Sequence, residues 1–274
     1  MTPSESQSPV AVIIGAASGI GAALSAAAKT RGYEVARADY SDLSTDHGDL
    51  IARLDVRDAD ALDAFAEAVY QRYGRVDLLF NNAGIMRPGP IWEQPKEHLD
   101  AVLETNLGGV INGVRAFVPK MIKSGHAGRI VNTASLAGLI PAPGLSGYCI
   151  SKHGVVALSE SLALDLAGID SNLSVSVVCP GGVSTNIMTS AAKAISLSES
   201  DSAKTVVDMM ATGLKAMGAA PETVAETIFD SIDEGQFCIW ATGESTEPFL
   251  ERCHAIASGK TAGFSKWGHE ESSS

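Results

Sequence analysis

The sequence predicts an α/β protein, a doubly wound parallel sheet of seven strands with helices on both faces, folded as a single domain. Short β-branched runs alternate with helix-length segments along most of the chain, which is the βαβ rhythm of a parallel sheet. A glycine-rich turn, "IIGAASGIGAAL", joins the first run directly to the first helix. With 274 residues, 45% hydrophobic and 19% charged, the chain is long enough for one large core. Right-handed crossovers then wind the sheet in both directions.

The strand candidates in order are "VAVII" from Val10, "YEVARA" from Tyr33, "ARLDV" from Ala52, "VDLLF" from Val76, "RIVNT" from Arg129, "LSVSVV" from Leu173 and "FCIW" from Phe237. Helices are expected between them, over Gly19–Arg31, Asp58–Tyr73, Thr105–Lys123 and Ser151–Ala167. The opening "TPSESQSP" and closing "GHEESSS" are polar and aperiodic, so disorder is expected at both ends. The organisation is therefore a tail over 1–9, one domain over 10–245 and an extension over 246–274.

A net charge of −12 would repel nucleic-acid backbones and anionic membranes, so neither is an expected partner. No apolar run approaches the roughly 18 residues of a membrane span, and the N-terminus lacks the order of a signal peptide. A cytoplasmic protein is expected. Cys149, Cys179, Cys238 and Cys253 form no CxxC pair and have no histidine at metal-ligand spacing, so the expectation is reduced, mostly buried thiols and no metal.

A doubly wound sheet binds ligands at the carboxyl ends of its strands. Gly15, Gly19 and Gly21 stand there after the first strand, where glycines let backbone approach a pyrophosphate at a helix N-terminus. A turn needed only for packing is the alternative. Asp39, after the second strand, suits a ribose diol and would repel a 2′-phosphate. Tyr40 follows it, the glycine loop holds no cation, and Arg37 reads as a solvated strand residue, so NAD is favoured over NADP. Asp55 and the "NNAG" of Asn81–Gly84 follow the third and fourth strands; Asp55 could instead cap a helix, and Asn81 could tie strands together. In "GYCISKHG", Tyr148 and Lys152 are spaced to share a helix face, for proton transfer or as a plain surface pair.

From about Val10 to Trp240 the chain resembles the classical short-chain dehydrogenase/reductase family, with its Rossmann-like fold. The family's TGxxxGxG motif matches at Gly15, Gly19 and Gly21, although Ile14 stands in place of the threonine. The resemblance implies a catalytic set of Asn106 in "ETNLGGV", Ser135 in "VNTASLAG", Tyr148 and Lys152. It also implies cofactor contacts from Gly15, Ser18, Gly19, Ile20, Gly21, Asp39, Asp55, Val56, Asn82, Ala83, Gly84, Tyr148, Lys152, Pro180, Gly181, Val183 and Thr185. The implied activity is reversible hydride transfer between a nicotinamide and a secondary alcohol or ketone. Tyr148 would take or give the proton, and as a base it would need its pKa lowered by about three units, ~4 kcal/mol, much of it from Lys152. Ser135 would hold the substrate oxygen, and Asn106 would bend its helix and hold a water. His153 points away from Lys152 and suits packing or solvent.

Met188, Met209, Met210 and Met217, with Ile195, Leu197, Val206 and Leu214, suit either a cover over a bulky hydrophobic substrate (aryl, terpenoid or steroid-like) or plain packing. In the tail, Phe249, Leu250, Ile256, Phe264 and Trp267 could pack on their own subunit, or Phe264 or Trp267 could border a pocket. The 105–123 helix is apolar around much of its girth, and the family resemblance implies a homo-oligomer, tetramer or dimer. Two other functions stay open: a dinucleotide sensor without catalysis, and an epimerase or dehydratase using the same Tyr–Lys pair. The intact four-residue set counts against the first, and the short stretch after Trp240 against the second.

Overall fold

The computed structural model describes residues 8–44, 48–195, 201–243 and 245–261. Seven parallel strands run in the order β3-β2-β1-β4-β5-β6-β7. They are β1 Val10–Ile14, β2 Glu34–Asp39, β3 Leu50–Arg53, β4 Leu78–Asn81, β5 Gly128–Thr133, β6 Leu173–Val178 and β7 Cys238–Ile239. The described α-helices are α1 Gly19–Thr30, α2 Ala59–Tyr73, α3 Lys96–Leu103, α4 Gly109–Ser124, α5 Ser146–Gly168, α6 Ile187–Ile195, α7 Asp201–Met217, α8 Pro221–Asp233 and α9 Glu247–Ala257. One compact unit ends at Thr242 and a second begins at Gly243; α9 belongs to the second, and its Leu250 and Ile256 are exposed. Phe264 and Trp267 lie outside the described residues.

Every residue of β1 is buried, and alternate residues feed opposite cores, as a sheet covered on both faces requires. Val10, Val12 and Ile14 join Leu62 and Phe65 of α2 with Phe117 and Met121 of α4; Ala11 and Ile13 join Leu24 of α1 with Ile228 and Phe229 of α8. The order in which strands are laid down reverses beside β1, whose neighbours are β2 and β4, and this opens the crevice at the strands' carboxyl ends.

Several expected boundaries move. The third strand spans Leu50–Arg53, leaving Asp55 and Val56 in the loop beyond it. Asp58, not Asp55, caps α2, accepting the Ala61 N–H at 3.0 Å. Helix α5 begins at Ser146 instead of Ser151, so Tyr148 and Lys152 both lie within it. The helix expected from Thr105 is the later part of a longer one: α3 leads through a π-helical turn, Glu104–Gly108, into α4. Arg37 is not solvated. It is buried, its Nε lies 2.7 Å from Asp49, and an Nη donates to the Ser44 carbonyl at 2.9 Å.

The four cysteines are free; Cys149 and Cys179 are buried, whereas Cys238 and Cys253 are half-buried. Among the described residues, no cluster of His, Cys, Asp and Glu could hold a metal, and no helix is long and apolar enough to cross a membrane.

Candidate active site

The turn after β1 is built so that side chains cannot enter it. Gly15 and Gly19 have φ of 89° and 55°, the left-handed region in which glycine is least strained. A Cβ on Gly15 would lie 2.5 Å from the Ala83 nitrogen, and one on Gly21 would lie 1.9 Å from the Gly15 carbonyl oxygen. Asn82 holds this turn, its Nδ2 donating to the Gly15 carbonyl at 3.0 Å and its Oδ1 accepting from Thr133 at 3.2 Å. Ser18 leads into α1 with an exposed side chain that makes no capping bond, and the first turn holds no acidic residue. An electropositive helix start lined by backbone and one uncommitted hydroxyl is a fitting cradle for a dinucleotide pyrophosphate.

Asp39 closes this cradle on the β2 side. Its Oδ2 accepts the Ala17 N–H at 2.9 Å and its Oδ1 the Ser41 N–H at 2.8 Å. Strand register sets Arg53 of β3 opposite Asp39, a cation that the order of residues along the chain conceals. Arg53 donates to the Tyr40 carbonyl and to Asp42, each at 3.1 Å. Asp55 is held by Arg57 through several hydrogen bonds, which keep its carboxyl below the usual carboxylate range. Val56 is buried beside Gly109, where any Cβ would meet it at 2.6 Å.

On the other side of the crevice the four residues singled out in the sequence converge. Asn106 is fully buried in the π-helical turn, a distortion common at functional sites. Its Oδ1 accepts the Ile85 N–H at 2.8 Å, and its Nδ2 donates to the Ile85 carbonyl at 2.9 Å and to Ser151 Oγ at 3.1 Å. Ser151 in turn donates to the Tyr148 carbonyl at 2.7 Å, joining α5 to the loop after β4. Lys152 Nζ donates to the Thr133 carbonyl at 2.7 Å. Ser135, in the turn after β5, accepts the Ala137 N–H at 3.2 Å and donates to the Pro180 carbonyl at 3.3 Å.

Electrostatics here differ from the sequence expectation. Burial pushes the Tyr148 phenol up to about 12, with the nearby Ser135 hydroxyl pulling the other way. Burial brings Lys152 down to about 8. The ammonium sits 5.7 Å from the centre of the Tyr148 ring, over its face, with its hydrogen bond spent on Thr133. Lys152 therefore does not lower the phenol's pKa in this arrangement.

Pro180, Gly181, Val183 and Thr185 line the turn after β6. Gly181 N–H is held by Thr242 Oγ1 at 2.8 Å, Val183 bridges to Ala219, and Thr185 packs its methyl where a Gly19 Cβ would lie, 2.8 Å away. Ile20 and Ala83 are half-buried, and Gly84 faces both Asn106 and Lys152, with Nζ 3.5 Å from where its Cβ would stand. Asn81 ties strands, its Nδ2 donating to Asn132 Oδ1 at 2.9 Å. His153 Nδ1 pairs with the Cys149 carbonyl at 2.9 Å, a packing role.

Met188 is buried in one apolar cluster with Met86, Leu145 and Tyr148, against which Met210, Val206 and Leu214 pack. Met209 and Met217 face outward instead. Leu197 and the side chain of Ile195 lie outside the described residues. Sequence reasoning missed Ser151, Thr133 and Arg53. Ser151 stands three residues after Tyr148, a spacing that places it beside the tyrosine on a helix, and pairing β2 with β3 would have found Arg53.

A backbone cradle at the topological switch of a doubly wound sheet defines a nucleotide-binding α/β protein, and the buried Tyr–Lys pair beside it adds the means to move a proton. The short chain dehydrogenase family model matches residues 9–196, and the chain belongs to that family of nicotinamide-dependent oxidoreductases. Among relatives, the chain is 37% identical over 194 residues to 1-deoxy-11-beta-hydroxypentalenate dehydrogenase of Streptomyces arenae, covering 66% of this chain and 69% of that one. It is 38% identical over 188 residues to the probable oxidoreductase EphD of Mycobacterium tuberculosis, a match covering 64% of this chain but only 31% of EphD. A short-chain dehydrogenase/reductase from Burkholderia phymatum, solved in complex with NAD, superposes with a TM-score of 0.88 at 29% identity, covering 96% of this chain and 99% of that one.

Proposed function

We propose that the protein interconverts a secondary alcohol and its ketone with NAD, using Asn106, Ser135, Tyr148 and Lys152. The observation that carries this is the convergence of Tyr148, Lys152 and the Asn106–Ser151 bridge beside the glycine cradle. Gly15, Ser18, Gly19, Ile20 and Gly21 would hold the pyrophosphate, Asp39 the ribose, Asp55 and Val56 the adenine. Asn82, Ala83, Gly84, Pro180, Gly181, Val183 and Thr185 would flank the nicotinamide half. Bound there, the cofactor supplies the hydride donor or acceptor.

Tyr148, protonated by burial, is set to give its proton to a carbonyl oxygen in reduction and to take one back in oxidation. Ser135 holds that oxygen and stabilises the charge developing on it. Asn106 and Ser151 fix the start of α5, so that the phenol keeps its place. Preference for NAD rests on the Asp39 carboxylate and on Arg53 being engaged with Asp42. A bulky apolar substrate, of the kind a terpenoid represents, suits the cluster of Met86, Met188 and Met210 around Tyr148. The exposed Ile111 and Ile122 of α4, with Ile150 and Leu164 of α5, support a homo-oligomer closed through these helices.

The test is to follow the absorbance of reduced nicotinamide while offering NAD with pooled aryl, terpenoid, steroid and sugar alcohols. A dehydrogenase accumulates the reduced cofactor. No accumulation with any pool, and none of the reverse change with the matching ketones, would overturn the proposal.

A further inference from the structure

This acidic protein, with 32 Asp and Glu against 20 Lys and Arg, pairs five of its ten arginines with carboxylates among the described residues. Arg31 pairs with Glu226, Arg37 with Asp49, Arg53 with Asp42, Arg57 with Asp55 and Arg75 with Asp77. Burial holds two described arginines below their usual value, Arg129 and Arg87. Arg129 has neutral partners, the Ser176 hydroxyl at 2.8 Å and the Gln236 carbonyl at 3.3 Å. Arg87 has less. Half-buried, it donates through Nη1 to the carbonyl of Met86 at 2.7 Å, and no carboxylate pairs with it among the described residues. Most of the five N–H donors of a guanidinium are thereby left without a protein acceptor.

Its position gives that vacancy a use. Arg87 follows Met86, which is buried in the same apolar cluster as Tyr148, and lies just beyond Ile85, whose backbone Asn106 grips on both sides. The loop is fixed: Gly89 N–H donates to the Gly144 carbonyl at 2.8 Å, and Gln94 Nε2 donates to the Arg87 carbonyl. Gln94 Oε1 is itself buried without a hydrogen-bond partner, 3.3 Å from where a Cβ on Gly147 would stand, directly before Tyr148. A half-buried guanidinium with no protein carboxylate beside it keeps donors that an anionic ligand can engage. On a protein of charge −12, this is where a substrate anion finds attraction instead of repulsion.

We propose that Arg87 is the specificity residue of the substrate cleft, and that the alcohol or ketone turned over carries a carboxylate which pairs with its guanidinium. This rests on the function proposed above. Carboxylate and guanidinium can form two parallel charge-assisted bonds, a geometry neither lysine nor a neutral amide reproduces.

The test uses matched compounds, a bulky apolar hydroxy acid and its methyl ester, in two measurements. The first is equilibrium binding of acid and ester to NAD-loaded Tyr148→Phe, which needs no turnover. The acid should bind ~10- to 100-fold tighter than the ester, and adding Arg87→Gln should bring that ratio towards one, with Arg87→Lys between. The second is the ratio of kcat/KM for acid over ester in the wild-type protein, which should favour the acid in the same sense. Acid bound no tighter than ester overturns the role of Arg87, even where alcohols are oxidised. Should Arg87→Gln not fold, Arg87→Lys carries the test, and a ratio equal to that of the wild type overturns the role of Arg87. Preference for the acid in binding, with no turnover of either compound, overturns the catalytic reading and leaves Arg87 as an anion site.

Discussion

Lys152 Nζ stands 5.7 Å from the centre of the Tyr148 ring and gives its hydrogen bond to the Thr133 carbonyl, not to the phenol. With Tyr148 held at about 12, its ionised form lies roughly 7 kcal/mol uphill at neutral pH. The phenol is therefore protonated at neutral pH, as the proposed role of acid towards a carbonyl oxygen requires. Acting as a base requires positive charge to be brought to the phenol, and the buried Lys152, one turn further along α5, stands 5.7 Å from the ring centre.

Lys152 makes stability depend on pH in a definite direction. Its folded value, about 8, lies below the unfolded 10.5, so between those values the unfolded chain binds more protons and stability rises with pH. Below about pH 8 both states are charged and the folded state bears the cost of a buried ammonium. Lys152→Met should raise the urea midpoint at pH 7, by an amount worth about 1–2 kcal/mol, and should gain less at pH 9.5. An equal difference at both pH values would count against a buried, titrating Lys152.

Asn106 satisfies both backbone groups of Ile85 as well as Ser151. Asn106→Ala leaves the half-buried N–H and carbonyl of Ile85 without this partner and cuts its tie to Ser151, at a cost of ~2–4 kcal/mol. Turnover should fall with it, because the start of α5 loses its tie to the loop after β4. Chemical denaturation with steady-state kinetics checks both; a variant of wild-type stability and rate would show the bridge to be idle.

Two glycines separate close approach from ordinary tolerance. Gly21→Ala drives a methyl to 1.9 Å from the Gly15 carbonyl oxygen and should destroy cofactor affinity. Gly168→Ala, at the end of α5 with nothing within 4 Å, should be neutral or stabilising by a few tenths of a kcal/mol. Calorimetric NAD titration and melting curves distinguish the two, and intact binding by Gly21→Ala would contradict the cradle.

On the function proposed, cofactor choice turns on Asp39, whose carboxylate closes the cradle on the β2 side. The wild-type protein should prefer NAD by ~100-fold or more in kcat/KM, at 1.4 kcal/mol per tenfold. Asp39→Ser removes the repulsion but leaves Arg53 engaged with Asp42, so preference should move part of the way towards NADP, and further when Tyr40→Arg adds a cation. Kinetics with both cofactors in the single and double variants decide it; equal efficiency in the wild type would mean that Asp39 does not read the ribose.

What the sequence disclosed and what it hid follow from the range of the forces involved. The glycine cradle and the Tyr148–Lys152 spacing are local, set by backbone sterics and helix period, and the structure has both. The strand runs were legible for the same reason, apart from β3, whose ends shifted because "ARLDV" carries its apolar signal past the point where pairing with β2 stops. Hidden were the contacts between elements. Arg37 reads as exposed until Asp49 is brought beside it, Arg53 comes opposite Asp39 only through strand register, and Asn106 sits in a π-helical turn that helical periodicity does not signal. The shared helix face of Tyr148 and Lys152 is legible in the sequence; that burial sets the phenol's pKa without the ammonium is not, since burial is a property of the assembled core.

The most direct test of the central claim, that Tyr148 moves the proton in a hydride transfer to nicotinamide, is the rate of reduced-nicotinamide formation by wild type and Tyr148→Phe on the same alcohol, with NAD affinity measured in parallel. Phenylalanine keeps the ring that Met86, Met188 and Lys152 pack against and removes only the ionisable oxygen. The predicted result is turnover by the wild type, a loss of ~100-fold or more in the variant, and NAD bound equally by both. Turnover by Tyr148→Phe within a few-fold of the wild type would contradict it.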